Sequence, residues 1–500
     1  MKYLLGIDIG TSSCKATLFD FSGTPVAYAT GKYPLLKPQP HYVEQSADDW
    51  YGGVLQALKD IFSRGYDAKQ IAGIGVDGQS WSAIAVDRDG RCLANTPIWL
   101  DGRATDICQE LDERIGRESI FALSGNPLSP TYSLPKVLWY KKHTPQVYQN
   151  AYQFLQSNSY IVYKLTGVFS QDLSQGYGYG FFDMKNLRYD AAMAKEMGCD
   201  LGKFPELYAC HAIVGHVTAA AAKETGLAEG TPVVAGGLDA ACGTLGAGVI
   251  LEGQTQEQGG QAGGMSVCTD SCKTHPDLIC GAHVVPGKWL LQGGTVGGGG
   301  TMEWYKAQFG QAEAVLHPDK NVFDALTEPC NSIAPGSDGV IFLPYMQGER
   351  SPIWDPNAKG VFYGLSFSTT KAHITRSILE GVAYSLRHNI EAANACGASP
   401  TKLIATGGAA NSYLWTQIKS DVTGIPIAVC DNQSASCLGA AILAGVGTGV
   451  YADFEAAVET TVTLTREHTP DLENKAIYDK HYQIYRQIYE DLKDTMGRSL

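Results

Sequence analysis

Short apolar runs separated by small residues dominate the start of the chain. The runs Tyr3–Ile9, Cys14–Asp20 and Pro25–Thr30 have the length and composition of strands, and glycine and hydroxyl residues lie between them. A hydroxyl at Ser46, with an acid three residues later, then predicts the start of a helix that continues to about Ser63. The pattern therefore predicts three consecutive strands followed by a helix.

The same type of pattern continues and partly repeats in the second half. Two further strands are predicted at Ile71–Val76 and Ala83–Asp87, an order typical of an α/β layer fold rather than a barrel. In the second half, Trp289–Gln292 and Ile404–Thr406 have the composition of strands, and Lys371–Ala395 has apolar residues at helical spacing. We expect two related α/β units.

The last predicted helix has tyrosines on one face. They are Tyr478, Tyr482, Tyr485 and Tyr489. Helical spacing of large amphipathic rings is more typical of a face that packs on the body of a protein than of a face that stacks on a ligand. We therefore expect these rings to be buried.

Two predicted strands end in an acid set among glycines, at Asp8 and at Asp239. The residues that follow the first acid are Gly10, Thr11, Ser12, Ser13 and Lys15. A glycine turn with hydroxyls, free N–H groups and one cation suits phosphate oxygens. The two acids would repel phosphate, so they fit Mg²⁺ binding and proton acceptance instead. This combination predicts phosphoryl transfer from ATP to a hydroxyl.

A third glycine loop, Gly407–Asn411, follows the strand predicted at Ile404–Thr406. One such loop would be an ordinary turn, but three in one chain fit a nucleotide held between two halves. The sequence contains no G-x-x-x-x-G-K-[ST] motif, and the H-R-D and D-F-G motifs are also missing. These absences argue against P-loop enzymes and protein kinases.

Composition narrows the class of protein further. A length of 500 residues predicts two or three domains, and 44% apolar with 18% charged residues is typical of a soluble globular protein. The formal net charge of −13 argues against a nucleic-acid partner. A phosphate site must therefore rest on local N–H groups and a metal rather than on overall attraction.

The 13 cysteines form no C-x-x-C pair, and Asp8 interrupts the start of the chain before a secretory segment can form. We therefore expect reduced thiols and a cytoplasmic location. No run approaches the roughly 18 apolar residues of a membrane span, so no membrane partner is expected. A homodimer is compatible with the sequence.

At this point the chain resembles the FGGY carbohydrate kinases, which share the actin and hexokinase ATPase fold. Gly360–Leu365, followed by His373–Glu380, satisfies the family's second signature, and Thr131–Trp139 matches the first except at Thr131. The resemblance implies a two-domain α/β fold of ribonuclease H-like type with a central cleft. It implies an N-terminal domain over 1–246 for sugar and phosphate and a C-terminal domain over 247–500 for the nucleotide.

Within the family, the chain is most similar to xylulokinases. The supporting stretches are Trp99–Arg103, Gly125–Leu128, Pro135–Trp139 and Gly348–Pro352. The likeness implies ATP-dependent phosphorylation of a ketopentose such as D-xylulose. Alternatives within the class are another ketose, a deoxy-sugar or a polyol, such as ribulose, erythritol or glycerol. Outside it, a sensing homologue without turnover or a chaperone-type ATPase is conceivable, but retention of both acids and the lack of a peptide-binding domain argue against these.

The resemblance also implies roles for individual residues. Asp239 would be the general base on the sugar hydroxyl, and Asp8 would orient Mg²⁺ through water, so both acids are candidate metal residues. The candidate substrate-binding residues are Gln79, Ser80, Trp81, Asp101, Arg103 and Asp239. The candidate ATP-binding residues are Thr11, Ser12, Ser13, Lys15, Gly260, Gln261, Gly298, Gly407, Gly408, Ala409 and Asn411. Partners would be the sugar and MgATP.

Two stretches depart from the xylulokinase pattern. Xylulokinases usually have G-Q-M-H-G where this chain has Gly78–Ser82, so Trp81 would replace a sugar-contacting histidine with a flat ring and a single donor. Alternatively, Trp81 belongs to the core. Family members usually have G-T-S or G-T-G where this chain has Gly260–Gly263, which removes a hydroxyl from the second phosphate loop. Because of the change at Trp81, the sequence does not identify which sugar is the substrate.

For three polar residues, a structural role is an alternative to a role in the binding site. His373 is expected to mark a helix start or a packing contact. Asp101 and Arg103 could be an ordinary surface ion pair or could line the sugar cleft, and the sequence does not separate these alternatives.

Overall fold

The computed structural model describes residues 2–430 and 434–498. Its strands are β1 (Tyr3–Ile9), β2 (Ser13–Phe19), β3 (Pro25–Lys32), β4 (Glu44–Gln45), β5 (Ile71–Gly78), β6 (Ile84–Val86), β7 (Thr96–Pro97), β8 (Gln153–Leu155), β9 (Ser170–Asp172), β10 (Phe182–Asp183), β11 (Arg188–Tyr189), β12 (Glu206–Tyr208), β13 (Ile213–His216), β14 (Pro232–Val234), β15 (Gly237–Leu238), β16 (Gln254–Gly259), β17 (Gly263–Thr269), β18 (Ile279–Ala282), β19 (Trp289–Thr295), β20 (Ile341–Leu343), β21 (Val361–Tyr363), β22 (Lys402–Thr406), β23 (Ile427–Cys430) and β24 (Leu464–His468).

Helices surround these strands. They are α1 (Ala47–Ser63), α2 (Thr105–Ile115), α3 (Arg117–Ser124), α4 (Ser133–His143), α5 (Pro145–Asn150), α6 (Ser157–Thr166), α7 (Ala191–Glu196), α8 (Ala219–Thr225), α9 (Asp239–Gly246), α10 (Gly299–Phe309), α11 (Gln311–Leu316), α12 (Val322–Thr327), α13 (Lys371–Ala395), α14 (Tyr413–Thr423), α15 (Ala435–Gly447), α16 (Phe454–Thr461) and α17 (Leu472–Met496). No helix in the described part of the chain is long and apolar enough to cross a bilayer.

Two seven-stranded mixed sheets organise the molecule. The first has the order β13-β14-β5-β1-β2-β3, with β15 added beside β5, and the second has the order β18-β19-β17-β16-β22-β23-β24. Each sheet contains an antiparallel hairpin, β1–β2 or β16–β17. The first strand of each hairpin also pairs in parallel with a later strand, β5 in the first sheet and β22 in the second. The partial repeat seen in the sequence is therefore a repeat of sheet topology.

Local patterns account for the first elements as predicted. The three strands β1 to β3 and helix α1 lie where the apolar runs and the Ser46 signal placed them, and the Ser46 hydroxyl accepts a hydrogen bond from the Asp49 backbone N–H. The strand predicted at Ala83–Asp87 exists as β6, but β6 pairs with β8 outside the two large sheets. Helix α13 begins with a capping box in which His373 accepts from the Thr370 N–H, so the helix-start interpretation of His373 is confirmed.

Helix α17 buries its tyrosine face, as its spacing predicted. Tyr478, Tyr482 and Tyr485 are at most 1% exposed. The Tyr485 hydroxyl lies 2.7 Å from that of Tyr345, and Arg376 donates to the Tyr478 hydroxyl at 2.8 Å. The rings therefore form part of a core between α13, α14, α17 and β20.

Helix α15 comes late in the sequence but packs on the first sheet. The helix backbone lies so close that a Cβ at Gly6 would stand 2.0 Å from the Cys437 carbonyl oxygen, and one at Gly75 would stand 1.9 Å from that of Ala440. On its other side α15 meets α9, where a Cβ at Gly439 would stand 1.9 Å from the Cys242 carbonyl oxygen. This packing fixes α9, and with it Asp239, against β1 and β5.

Candidate active site

Three carboxyl groups meet at one edge of the first sheet. Asp8 on β1 lies in register with Asp77 on the parallel strand β5, and β15, which also pairs with β5, runs directly into Asp239 at the start of α9. The carboxyl ends of neighbouring parallel strands form the usual binding edge of an α/β sheet. The structure thus brings the two predicted acids together and adds a third.

Burial and mutual repulsion set the proton affinity of this cluster. Burial, followed by the charge of Asp8, raises the pKa of Asp239 to about 7. Burial also raises the pKa of Asp8, although Asp77 and Lys15 beside it act in the opposite direction. The pKa of Asp77 is raised well above its usual range by burial and by the charges of Asp8 and Asp239. Asp239 is therefore well suited to accept a proton near neutral pH.

Asp77 is the residue that the sequence analysis missed. It is fully buried, and its carboxyl group is hydrogen-bonded to that of Asp8, which lowers the pKa of Asp8 and raises that of Asp77. The available signal was its place directly after the apolar run Ile71–Val76, the same place that Asp8 has in the first strand. Two buried carboxyl groups in contact favour a shared proton or a nearby cation.

The donor set fits Mg²⁺ only in company with phosphates. Within residues 2–430 and 434–498, no group of three or more histidine, cysteine or acidic side chains is arranged to hold a metal ion alone. Mg²⁺ in nucleotide sites typically takes one or two carboxylates plus phosphate oxygens and water. Asp8, with Asp77 beside it in register, provides the carboxyl groups that such a site requires.

The tip of the first hairpin is braced by side chains. Its turn closes with a hydrogen bond from the Gly10 N–H to the Ser13 carbonyl oxygen at 3.2 Å. Tyr33 donates to the Gly10 carbonyl at 2.6 Å, and Trp99 Nε1 donates to the Thr11 hydroxyl at 2.9 Å. These contacts hold the predicted phosphate loop in one conformation.

Two further side chains of this hairpin, Ser12 and Lys15, differ in their surroundings. Ser12 is exposed at the tip. Lys15 Nζ donates to the hydroxyl of Ser434, at the start of α15, at 3.3 Å. Lys15 therefore lies between the first hairpin and the start of α15, which packs on the same sheet.

The second hairpin borders a cavity of about 470 Å³. Its lining includes the predicted ATP residues Gly260, Gln261, Gly408, Ala409 and Asn411, together with Gly299, Gly300, Met302, Glu303, Asn321, Phe323, Asp324, Thr327, Leu379, Ser412 and Trp415. Backbone atoms of three glycine loops and a few apolar side chains thus surround one space. A cavity of this size and composition suits a nucleoside.

Glycine is required where these loops touch. A Cβ at Gly298 would stand 2.3 Å from the Ala262 carbonyl carbon. Gly407 has φ 83°, and its Cβ would stand 2.9 Å from the carbonyl carbon of Gly259. The Gly299 N–H donates to the Gly260 carbonyl at 2.7 Å. Gly298 and Gly407 therefore support the cavity wall rather than line it.

Glu349 anchors the glycine-rich segment Gly293–Gly300 through its backbone, and the sequence analysis did not identify this residue. One carboxylate oxygen accepts from the N–H of Val296 and from that of Arg350, each at 2.7 Å, and Arg350 donates to the Thr295 carbonyl at 3.0 Å. Burial raises the pKa of Glu349 to about 7. The sequence signal for Glu349 was the stretch Gly348–Pro352, which the sequence analysis used only as evidence of resemblance to xylulokinases.

The predicted sugar loop lies beside the acid cluster. Gln79 is buried and donates to the Gln45 side chain at 2.9 Å, and the Ser80 hydroxyl lies 3.3 Å from that of Tyr177. Trp81 is half-buried, with its ring 4.5 Å from that of Tyr132 and 5.4 Å from that of Tyr177. Trp81 thus packs on core aromatics while part of its surface stays exposed.

Asp101 and Arg103 form a buried ion pair, so the alternative of an ordinary surface pair is wrong. Their side chains are 0% and 3% exposed. Arg103 donates to both Asp101 oxygens, at 2.8 and 2.7 Å, and to Glu44 at 2.6 Å. The Val43 N–H donates to Asp101 at 2.6 Å. Because these polar groups are already paired, the ion pair fixes the Trp99–Arg103 loop against the strand at Glu44.

Comparison with known proteins agrees with this geometry. The description "FGGY family of carbohydrate kinases, N-terminal domain" matches residues 3–246, and the C-terminal description of the same family matches residues 267–448. The Xylulose kinase of Bacillus subtilis (strain 168) is 29% identical, with 99% of this chain and 98% of that protein covered. The Gluconokinase of the same organism is 30% identical, with 98% and 95% covered.

A solved structure shows the same architecture. The xylulose kinase from Rhodospirillum rubrum has a TM-score of 0.90 and is 28% identical, with 99% of this chain and 100% of that chain covered. The expected two-domain ribonuclease H-like α/β fold is therefore confirmed.

Proposed function

The chain belongs to the FGGY family of carbohydrate kinases and is an ATP-dependent sugar phosphotransferase, and we propose that its acceptor is a ketopentose such as D-xylulose. The observation that carries the proposal is the likeness to xylulose kinases over nearly the whole chain, joined to an acid cluster beside a sugar-loop sequence. Asp239, with its pKa near 7, is the group that would take the hydroxyl proton.

An aldonate acceptor is the second candidate, because gluconokinases are similar to a comparable degree. Gluconate carries a carboxylate that would require a cation in the sugar site. The guanidinium of Arg103 is already bound by Asp101 and Glu44. An uncharged ketose avoids that conflict, and this favours the ketopentose.

In the proposed arrangement, residues 1–246 hold the sugar and the phosphates, and residues 247–500 hold the nucleoside. Thr11, Ser12 and Lys15 would receive phosphate oxygens, and the 470 Å³ cavity would take the adenosine. When bound, Mg²⁺ neutralises phosphate charge, and Asp8 is the side chain that would orient it. Asp239 would remove the proton from the attacking hydroxyl, and closure of the two halves would exclude water as a competing acceptor.

A screen of ADP release tests the proposal. The purified protein with MgATP is offered ketopentoses, ketohexoses, polyols, their deoxy forms and gluconate, and kcat/KM is compared. We expect a ketopentose to rank first. A higher value for gluconate or for a polyol would replace the acceptor, and no sugar-stimulated ADP release with any acceptor would favour the sensing homologue.

A further inference from the structure

Lys136 on α4 links the two loops that carry the candidate sugar residues. The side chain is fully buried. Its ammonium nitrogen donates to the carbonyl oxygen of Trp81 at 2.9 Å and to that of Ile98 at 2.6 Å. Trp81 lies in the loop between β5 and β6 that begins at Gln79, and Ile98 directly precedes the Trp99–Arg103 loop. One side chain thus holds both loops by their backbones.

Burying the Lys136 ammonium group is energetically unfavourable, because it removes a charged group from water. No carboxylate among the described residues forms an ion pair with it, since the nearby Asp101 is bound by Arg103. Burial lowers the pKa of Lys136 to about 7. To a smaller extent, the charge of Asp101 raises this pKa and the charge of Arg103 lowers it further. A methionine would fill the same volume without desolvating a charge. The two carbonyl contacts are therefore the reason for an amine at this position.

The backbone that Lys136 holds is strained. Trp81 has φ 57°, a left-handed conformation that is rare for a bulky residue. Its indole Nε1 is buried and has no hydrogen-bond partner in the described part of the chain. Such strain persists only where the surroundings over-determine it, and it clusters at ligand sites.

The indole is fixed from the same helix. Tyr132, whose ring lies 4.5 Å from that of Trp81 at an interplanar angle of 40°, directly precedes α4. On the other side, a Cβ at Gly178 would stand 2.8 Å from Trp81 Cδ1, so the ring fits only because that position is glycine. The start of α4 therefore fixes both the backbone and the ring of Trp81.

We propose that Lys136 is a positioning residue for sugar selection: it holds Trp81 in its left-handed conformation and thereby sets the indole as one wall of the sugar pocket. The inference rests on the proposed function. The indole offers an apolar face to the C–H side of a ketose and can donate one hydrogen bond but accept none. It should discriminate between ketoses and between their deoxy forms by fit at that wall.

The decisive variant is Lys136→Met, which keeps the volume and removes the donors. We expect kcat/KM for the preferred ketose to fall about ten- to hundredfold and the ranking of sugars to change, because a small displacement of a positioning group can have that effect. KM for ATP should stay within about twofold, since the nucleotide cavity is lined by other loops. Lys136→Arg, which keeps donors for both carbonyls, should restore part of the ranking.

Two comparisons separate positioning from general stability. Lys141→Met, on the same helix, removes an exposed amine that donates to the Gly198 carbonyl, and should leave the ranking unchanged. In a cycle with Trp81→His, the double variant should rank sugars like Trp81→His alone, because Lys136 acts through Trp81. Additive effects on the ranking would overturn the proposal.

An unchanged ranking in Lys136→Met, with only a lower melting temperature, would also overturn it. If Lys136→Met does not fold, Lys136→Gln provides the same comparison of rankings, because its side chain is one atom shorter and does not reach both carbonyl oxygens. Failure of the proposed function is distinct, because it would show first in the wild-type protein as a lack of sugar-dependent ADP release.

Discussion

The two glycine hairpins occupy matching places in matching sheets but carry different chemistry. The β1–β2 hairpin has Asp8 before its turn and hydroxyls and Lys15 after it, and the β16–β17 hairpin turns through Gly259–Gly263 without a charged side chain or a hydroxyl. Shared backbone topology therefore does not imply a shared role. The acid before the second turn, Glu257 on β16, is already bound by the buried Lys419 at 2.6 Å, whereas Asp8 lies in an acid cluster. The turn of the second hairpin therefore offers N–H groups and room rather than free charge.

The two hairpins also differ in the groups that support their turns. Side chains such as Tyr33 and Trp99 brace the first turn through hydrogen bonds. The second turn is supported by the backbones of two other glycine loops, at Gly298 and Gly407. Changes near the first hairpin should therefore act on kcat, and changes at the second should act on the affinity for ATP.

The largest expected effect is that of Asp239→Asn, beside the first hairpin. We expect kcat to fall about 10²–10⁴-fold, because the amide cannot accept the hydroxyl proton. Sugar binding, measured by isothermal titration calorimetry, should largely survive. Asp106→Asn, an exposed acid on α2 paired with Lys142, is a control that should keep full activity. More than about a tenth of the wild-type rate in Asp239→Asn would exclude the base role.

A smaller effect, of a different type, is expected at the second hairpin. Gly298→Ala places a methyl group against the Ala262 carbonyl carbon, and overpacking of about 1–3 kcal/mol should raise KM for ATP about five- to hundredfold with little change in KM for the sugar. Gly52→Ala is the control, because Gly52 is exposed on α1, away from the cavity lining, and its Cβ would meet nothing within 4 Å. If Gly298→Ala lowers kcat and leaves KM for ATP unchanged, the assignment of ATP affinity to the second hairpin is wrong.

Local sequence signals explain what could be predicted. The strands β1 to β3, the start of α1, the capping role of His373 and the buried face of α17 each depend on residues within a few positions of one another. Their hydrogen bonds and spacing are local, so the pattern alone identified them.

The parts that were missed depend on pairing across long separations. Asp77 joins Asp8 only because β1 and β5 pair in parallel, with α1 between them along the chain. Lys136 and Glu349 contact backbone groups far away in sequence, and a backbone partner has no side-chain signature. The close approach of Gly298 to Ala262 is likewise invisible until the loops are placed.

The smallest expected effect restores a hydroxyl to the second hairpin through Ala262→Ser. Ala262 is half-buried beside the cavity, so an added Oγ could reach a phosphate oxygen without displacing a neighbour. One hydrogen bond contributes about 0.5–1.5 kcal/mol, which predicts a KM for ATP lower by about two- to tenfold at unchanged kcat. Ala262→Val, similar in bulk but without a donor, is the control and should not lower KM. An unchanged KM in Ala262→Ser would mean that backbone N–H groups already satisfy the phosphates, which sharpens the contrast between the hairpins. A change in kcat would contradict it, because the second hairpin would then take part in the chemical step that we assign to the first.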